Sequence, residues 1–335
     1  MKLNVEVMSK EIIKPSSPTS DQFRCYRLSF LDQISPPVYN PLILFYRLTI
    51  TEGNIKTDDK IKIIDYLKQS LTDVLTYFYP LAGRIKDNMF VNCNDEGVPF
   101  GETRVQWFEP RSGISTEKIV TKRFAFTALK IQEIKANIGD TTYPSRIAAL
   151  SAFIWTRFIA TTQANATHEG EDNRFYAIVH AVNLRKRFDP PLPDHSFGNL
   201  YRIAMTIPTK NSQQDCRNLV NQIGESIRKI DAEYIKQLRD GLGRHLEFMR
   251  ESIESFMKGE MITFNVTSLC NFPVYEADFG WGKPVWVGSA GLTFKNLVVF
   301  MDPINGDGIE AWISLKEEEM GTFENDEIMR AFVVS

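Results

Sequence analysis

Four histidines carry most of the chemistry that this chain could perform, because an imidazole has an unperturbed pKa of ~6.5 and can act as a general base. His168 begins an H-x-x-x-D string that ends at Asp172, a spacing that a search for a catalytic base would select. The residues within and around this string are mostly polar or glycine, which is typical of a solvated loop. We therefore expect His168 to be exposed to solvent and to take no part in catalysis.

The other three histidines lie in different surroundings. His180 falls inside the mostly apolar run 175–184, which favours a hydrogen-bonded histidine in the core. His195 belongs to a proline-bearing loop, where it could line a substrate channel. His245 lies in a charged helical stretch and is typical of a surface position.

Other kinds of site find little support in the sequence. It contains no G-x-S-x-G elbow, no P-loop and no G-x-G-x-x-G string after a strand. The four cysteines are scattered, so we expect free thiols in a reducing, cytoplasmic compartment and no metal site. A net charge of −3 without any block of like charge offers no footprint for nucleic acid or an anionic membrane. No apolar run reaches the ~18 residues of a membrane span.

Apolar periodicity predicts the elements that must position these residues. A helix is expected from Thr57 or Asp58 to about Phe78, where the Pro and Gly of Tyr79–Arg84 end it. Pro144-Ser145 begins another helix, and 220–234 is expected to be a single long one. The remaining predictions are a hairpin of Phe90–Cys93 with Gly97–Phe100, a buried strand over Phe175–Leu184, a strand over Met261–Ser268, a hairpin of Leu297–Met301 with Ile309–Ile313, and a closing helix over Leu315–Val333.

The stretch 278–284, Asp-Phe-Gly-Trp-Gly-Lys-Pro, is the most tightly specified loop in the sequence. Two glycines around a Trp permit a positive φ or a close backbone approach, and the proline ends what precedes it. This string resembles the signature of the BAHD acyl-CoA-dependent acyltransferases. Tyr79–Arg84 (YPLAGR), Asn183–Arg185 (NLR) and the Gly-Asp-Gly turn at 306–308 resemble further landmarks of that family and occur in the family's order.

The resemblance implies a fold of the α/β class: two domains of the chloramphenicol-acetyltransferase type, with mixed sheets and a channel between them. Residues 1–110 would be a truncated N-terminal domain, and 111–335 the crossover segment and the C-terminal domain. Between Val105 and Arg111 the chain lacks the block in which the family carries its catalytic H-x-x-x-D-G motif. We therefore expect the N-terminal domain to be incomplete, with an exposed apolar patch or an incompletely covered sheet.

The resemblance also implies a reaction, the transfer of an acyl group from coenzyme A to a small hydroxyl or amine acceptor in plant specialised metabolism. Acyl-CoA would be a co-substrate, with no bound cofactor, and the protein would be a monomer. Because the family's general base is missing, we expect this form to be inactive. The alternatives are a working enzyme with another base, a binding or regulatory homologue without catalysis, and a splice or gene-model product.

Site residues follow from the same resemblance. Asp278, Phe279, Gly280, Trp281, Gly282 and Arg185 would form a structural motif near the channel, with Asp278 and Arg185 joined by an ion pair. The N-terminus of the helix at Ser145-Arg146 and the pair Lys122-Arg123 could bind the phosphates of coenzyme A.

Overall fold

The computed structural model describes residues 4–36, 41–47, 57–106, 118–139, 144–164, 175–209, 213, 215–240, 261–289 and 294–334. The strands in this part of the chain are β1 (Asn4–Ile13), β2 (Cys25–Arg27), β3 (Leu42–Phe45), β4 (Arg84–Lys86), β5 (Phe90–Asn92), β6 (Val98–Gln106), β7 (Ile119–Phe126), β8 (Phe175–Asn183), β9 (Tyr201–Thr206), β10 (Met261–Ser268), β11 (Trp286–Ser289), β12 (Leu297–Met301) and β13 (Ile309–Lys316). The α-helices are α1 (Phe30–Ile34), α2 (Thr57–Tyr77), α3 (Ala128–Ile138), α4 (Arg146–Ala164), α5 (Cys216–Arg228), α6 (Ala232–Asp240), α7 (Glu317–Glu324) and α8 (Glu327–Phe332).

The largest sheet described is six-stranded and mixed, in the order β7-β13-β12-β10-β8-β9. β8, β10 and β12 run parallel to one another, and the remaining pairs are antiparallel. Helices cover one face of this sheet, where α4 contributes the fully buried Trp155 and Phe158 against Phe264 of β10. The predicted strands over 175–184 and 261–268 and the predicted hairpin of 297–301 with 309–313 are confirmed.

The turn of that hairpin contains two glycines whose backbone conformations other residues rarely adopt. Gly306 and Gly308 have positive φ values of 69° and 104°. A Cβ added to Gly308 would lie 2.0 Å from the carbonyl oxygen of Phe126, so this turn also requires a close backbone approach.

Three small sheets involve the N-terminal part of the chain: β1 with β6, β2-β5-β4, and β3 with β11. The predicted hairpin of Phe90–Cys93 with Gly97–Phe100 is wrong, because β5 pairs with β2 and β4 while β6 pairs with β1. The Asp95 carboxylate, in the connection between them, accepts hydrogen bonds from the backbone and hydroxyl of Thr19 at 3.0 and 2.6 Å and from Arg24 at 3.2 Å. These contacts with residues far away in the sequence hold the connection in a conformation that is not a hairpin turn.

The predicted helix starting points at Thr57 and Ser145 are confirmed by α2 and α4. The predicted single helix over 220–234 is wrong, because α5 and α6 are separate. The Asp231 carboxylate accepts the backbone N–H of Tyr234 at 2.9 Å and so begins a new helix. Similarly, Asp326 accepts the N–H of Met329 at 2.7 Å and divides the predicted C-terminal helix into α7 and α8.

Burial is distributed unevenly along the described chain. Between residues 6 and 104 the buried hydrophobic residues of the described chain are Ile13, Leu75, Ala82, Val91 and Cys93. One core cluster lies in this part, and the buried residues of the three other core clusters all come after position 118. The exposed large apolar residues of the first part are Val7, Met8, Ile12, Phe23, Leu42, Ile43, Phe45, Tyr66, Val74, Tyr77, Leu81, Ile85 and Met89.

The two-stranded ribbon of β1 and β6 is covered by a helix on one face and exposes apolar side chains elsewhere. Leu71 and Leu75 of α2 pack with Ile13, Val98 and Phe100 on one face of it. Ile12 points to the other face and is 54% exposed, and Met8, at the irregularity between Val7 and Ser9, is 46% exposed. The expected incompletely covered sheet is thus confirmed. None of the helices in the described ranges has the length and hydropathy needed to cross a membrane.

Candidate functional site

The face of the six-stranded sheet that points away from the helices carries the polar groups of this region. Along β13 the residues at odd positions join the helix-covered core, so Glu310, Trp312 and Ser314 point to the second face. The ribbon of β3 and β11 covers part of this second face, where Leu44 and Val287 pack near Met301. The N-terminal part of the chain therefore contributes directly to the covering of this face.

A polar stripe follows β10 on the second face. Its residues, Thr263, Asn265 and Thr267, are half-buried and alternate with the buried Phe264 and Val266 of the helix-covered face. A few placed polar groups on a largely apolar wall are typical of small-molecule sites. The sequence analysis missed this stripe, although the period-two alternation of MITFNVTS is the signal that would have identified it.

A charged pair lies on the same face. An Nη2 of Arg123 is 2.8 Å from Oε1 of Glu310, whose side chain is only 5% exposed. This hydrogen bond raises the pKa of Arg123. The adjacent Lys122 points to the opposite face of β7 and pairs with Glu324 of α7. The two cations therefore point to opposite faces and would not contact the same phosphate group, because neighbouring strand residues face opposite ways. The expectation that they bind the phosphates of coenzyme A remains a prediction.

The loop 278–282 has the backbone that its glycines predict, with φ values of 101° at Gly280 and 103° at Gly282. Oδ1 of Asp278 accepts the N–H groups of both glycines, at 2.8 and 3.0 Å. Phe279 and Trp281 stack at 5.6 Å, and each contacts Tyr46 edge-on.

Tyr46 ties this loop to the N-terminal part of the chain. Its hydroxyl donates a 2.7 Å hydrogen bond to the carbonyl of Ala277. Burial, followed by the nearby Asp278 carboxylate, raises the pKa of Tyr46. The loop is thus held by contacts within the stretch 277–282 and by one aromatic side chain from outside it.

Arg185 does not form the predicted ion pair with Asp278. Its Nη2 donates to the carbonyls of Ser196 and Gly198 at 2.8 and 3.2 Å, and its backbone N–H donates to Asn183 at 3.0 Å. The prediction is wrong because each group finds its partners locally, Arg185 in the loop around 196–198 and Asp278 in its own turn.

Asp32 makes a second link between the two parts of the chain. Its Oδ1 accepts the backbone N–H of Asn199 at 2.7 Å, while Oδ2 accepts the backbone N–H of Ser29 at 3.0 Å as part of a capping box on α1. Phe197, in the loop that Arg185 holds, contacts the rings of Tyr26 and Phe78. The spacing of Ser29 and Asp32, which fits a capping box, is the signal in the sequence for the helix start at this position.

At the N-terminus of α4, the groups predicted to bind phosphate contact other groups of the protein. The Ser145 hydroxyl accepts the N–H of Ala148 at 3.0 Å, and an Nη2 of Arg146 is 3.9 Å from Asp302. Asp302 also accepts the N–H of Asn271 at 2.6 Å. Burial raises the pKa of the neighbouring Cys270 thiol to about 11, so it stays protonated at neutral pH.

The two described histidines lie in different surroundings. His180 is buried on the helix-covered face, where its Nε2 lies 3.0 Å from the Ser151 hydroxyl, and the predicted hydrogen-bonded core histidine is confirmed. His195 is exposed in its loop. His168 and His245 lie outside the described residues, so the expectations for them remain predictions.

A surface depression of about 270 Å³ lies on the helix side of the sheet, lined by Ala160, Thr161, Thr322, Asn325 and Asp326. Its carboxylate, Asp326, already caps α8 and lies 3.5 Å from Arg157. The carboxylate that lines this depression is therefore already engaged within the protein.

Known proteins resemble this chain over nearly its whole length. The Transferase family model matches residues 3–108 and 101–329. Stemmadenine O-acetyltransferase of Catharanthus roseus is 30% identical over 425 residues, covering 96% of each chain. Limonoid 21-O-acetyltransferase of Melia azedarach is 30% identical over 426 residues, covering 98% of each.

Solved structures give the same result. The crystal structure of vinorine synthase superposes with a TM-score of 0.77 at 26% identity, covering 99% of each chain. TRI101 of F. graminearum, solved with coenzyme A and T-2 mycotoxin, has a TM-score of 0.50 at 18% identity, covering 67% of this chain and 51% of that one, and shows the shared fold alone.

The alignment lengths locate a large internal difference. An alignment of 425 residues is longer than this chain of 335, so at least 90 aligned positions have no counterpart here. The two matches of the family model meet at residues 101–108. This is the junction at which the sequence lacks the H-x-x-x-D-G block.

Proposed function

Because the chain belongs to the BAHD family of acyl-CoA-dependent acyltransferases, we propose that it keeps part of a plant acyltransferase's substrate site but does not transfer acyl groups in this form. Its ligands would be an acyl-CoA and a small hydroxyl or amine acceptor from specialised metabolism. Two relatives are named for the O-acetylation of stemmadenine and of limonoids, which makes these compounds the acceptors to try first.

The position of His180 carries the proposal. An alcohol needs a base to remove its proton as it attacks a thioester, and the loss of a general base typically costs about 10²–10⁴-fold in rate. The sequence lacks the family's motif, and His180 lies on the helix-covered face with its pKa lowered to about 4 by burial. A histidine in that position can neither reach an acceptor on the second face nor take up a proton near neutral pH.

The polar stripe of Thr263, Asn265 and Thr267 supports a retained binding function. These side chains offer hydroxyl and amide groups at half-buried positions on the second face of the sheet. Arg123 is the basic group on that face that could contribute to phosphate binding, and its pairing with Glu310 makes it a weaker anion site than a free arginine. The N-terminus of α4 at Ser145-Arg146 is the other proposed phosphate contact.

Three further properties belong to the proposal. Residues 1–110 form a truncated N-terminal domain, and 111–335 form the crossover and the C-terminal domain. Acyl-CoA is a co-substrate and not a resident cofactor. The protein acts in the cytoplasm, which is supported by the free thiols of Cys25, Cys93, Cys216 and Cys270.

A turnover assay tests the catalytic part of the proposal. The purified chain would be incubated with acetyl-CoA and stemmadenine or limonoid alcohols, with thiol release as the readout and stemmadenine O-acetyltransferase as the positive control. We expect release no faster than the background hydrolysis of the thioester. Robust acylation of any acceptor would overturn the proposal in favour of a working enzyme with another base.

Restoring the block separates a missing base from a defective scaffold. The aligned block of stemmadenine O-acetyltransferase, inserted between Gln106 and Arg111, is expected to give measurable turnover. The same insertion with the motif histidine changed to alanine should lose it, while both insertions should bind acetyl-CoA equally in calorimetry. Sequencing transcripts across this junction would show whether a longer form of the chain is expressed as well.

A further inference from the structure

The ribbon of β1 and β6 leaves two strand edges unpaired within the described part of the chain. An open edge presents a row of free N–H and C=O groups, which is a template for pairing with another strand. The β6 edge ends at Gln106, next to the position where the two family-model matches meet. Relatives continue from this point with the block that this chain lacks.

Three consecutive residues of β6 have the charge order needed to pair with their own copy. In an antiparallel pair with a two-fold axis at Thr103, Glu102 of one copy lies directly opposite Arg104 of the other, and the same contact recurs across the axis. Thr103 then lies opposite its own copy. Opposite charges and paired threonines are both favourable when they face each other across two strands.

These side chains are available for such a contact. Thr103 and Arg104 are exposed and Glu102 is half-buried. Within the chain, Arg104 has an ion pair with Glu6 at 3.9 Å, and both side chains are more than 60% exposed. An exposed pair of this kind contributes little, so Arg104 can exchange it for a second carboxylate at small cost.

Other edges in the described structure are less suited to self-pairing. In its pairing with β6, β1 has one extra residue between Val7 and Ser9, and such a bulge bends the strand that carries it and makes its other edge less regular. On β9 the charged residue Arg202 is buried, so it offers no exposed charge pair. The edge of β7 is occupied in part by Val334, which bridges to Ala125.

We propose that this chain forms a two-fold symmetric homodimer through β6, with a continuous four-stranded sheet in the order β1-β6-β6-β1 across the two copies. The contact is specific because a shift by one residue would move Glu102 and Arg104 out of register. It replaces the monomer expected from the family resemblance and does not depend on whether the chain transfers acyl groups.

Sedimentation of the full chain over a range of concentrations tests this dimer with a charge-reversal set. We expect a dimer for the wild type and a dissociation constant raised about tenfold or more by E102R or R104E, since each turns two attractive cross-strand pairs into repulsive ones. The double variant E102R/R104E restores opposite charges across the axis and should dimerise like the wild type. E6Q is the matched control, because it removes the partner of Arg104 within the chain and should leave the dimer unchanged.

Hydrogen exchange supplies the second measurement. The amides of 99–106 are expected to exchange more slowly at concentrations where the dimer forms, and circular dichroism should be the same for all variants. A chain that stays monomeric throughout the concentration range would overturn the proposal. So would a dimer, or larger aggregates, that the single reversals do not weaken or that leave 99–106 unprotected.

Discussion

His180 shows how one titratable residue can affect the stability of this fold. It is buried between β8 and α4, its Nε2 faces Ser151, and its Nδ1 has no hydrogen-bond partner among the residues that the structure describes. Burial disfavours the charged imidazolium and lowers the pKa of His180 from 6.5 to about 4. The folded state therefore holds this histidine neutral at a pH where the unfolded state already binds a proton.

His180 should make the folded state less stable at acidic pH. Because the pKa is lower in the folded state, the contribution of His180 to stability is complete above pH 6.5 and is lost as the pH falls toward 4. A shift of this size corresponds to roughly 3 kcal/mol in the free energy of unfolding at most. Denaturant unfolding at pH 7.5, 6, 5 and 4 would measure it.

Two variants separate this effect from general acid denaturation. His180→Gln removes the titrating group, so its stability should change less between pH 7.5 and 4 than that of the wild type. Ser151→Ala removes the hydrogen-bond partner and keeps the histidine, so the pH dependence should remain. Equal pH profiles for the wild type and His180→Gln would contradict the assignment.

At the scale of elements, the two loops that carry Arg185 and Asp278 are expected to be energetically independent. Arg185 binds the carbonyls of Ser196 and Gly198, and Asp278 binds the N–H groups of Gly280 and Gly282. A double-mutant cycle with Arg185→Met and Asp278→Asn should therefore give an interaction energy within about 0.5 kcal/mol of zero. Urea unfolding of the wild type, both single variants and the double variant measures it.

The single variants indicate where each effect should appear. Asp278→Ala should speed hydrogen exchange at Gly280 and Gly282, whereas Asp278→Asn keeps an acceptor oxygen and should do so less. Arg185→Met should loosen 196–199 instead. An interaction energy of several kcal/mol would restore the ion pair that the family resemblance predicted.

Elements that depend on local sequence were predicted correctly, whereas strand pairing that depends on distant residues was not. The helix stop at Tyr79–Arg84, the cap at Ser145 and the alternation or apolarity of β8, β10 and β12–β13 are local properties, and the structure confirms the elements that they predict. Partner choice is not local. The pairing of β5 with β2 is accompanied by hydrogen bonds from Thr19 to Asp95, 76 residues apart, and nothing near Phe90 in the sequence indicates either contact.

Some features of the candidate site were predicted from the sequence and others were not. The string 278–284 correctly indicated the family and the positive φ values of Gly280 and Gly282. The placement of Lys122 and Arg123 on opposite faces required only the strand period, which the sequence analysis did not apply to them. The Glu310–Arg123 pair had a signal too, since a carboxylate inside an apolar strand needs a partner.

At the scale of the whole molecule, the N-terminal part has less apolar burial than its sequence pattern would support. Each large apolar side chain that is fully buried contributes ~1.5–3 kcal/mol relative to exposure, while a whole domain is stable by only ~5–15 kcal/mol. Exposure of residues such as Ile12, Phe45 and Ile85 therefore removes a large fraction of the stability that a domain of this size can have.

We expect the two parts of the chain to differ in hydrogen exchange and in dye binding. Amides of 4–106 should exchange by local opening well below the free energy that protects β8, β10 and α4, and a hydrophobic dye should bind the native chain. Pairing two copies through β6 leaves Met8 and Ile12 uncovered, because edge pairing adds no cover to a sheet face, so dye binding should persist in the dimer.

Met8→Lys/Ile12→Lys should reduce the dye signal without lowering the stability of the C-terminal part, since both side chains are exposed. Insertion of the relative's block after Gln106 should reduce the signal further and raise the protection of β1 and β6 together, because the block would supply the missing cover. If 4–106 instead exchanged only through global unfolding and the native chain bound no dye, the shortened region would have a closed core of its own, and the missing block would not be needed for its stability.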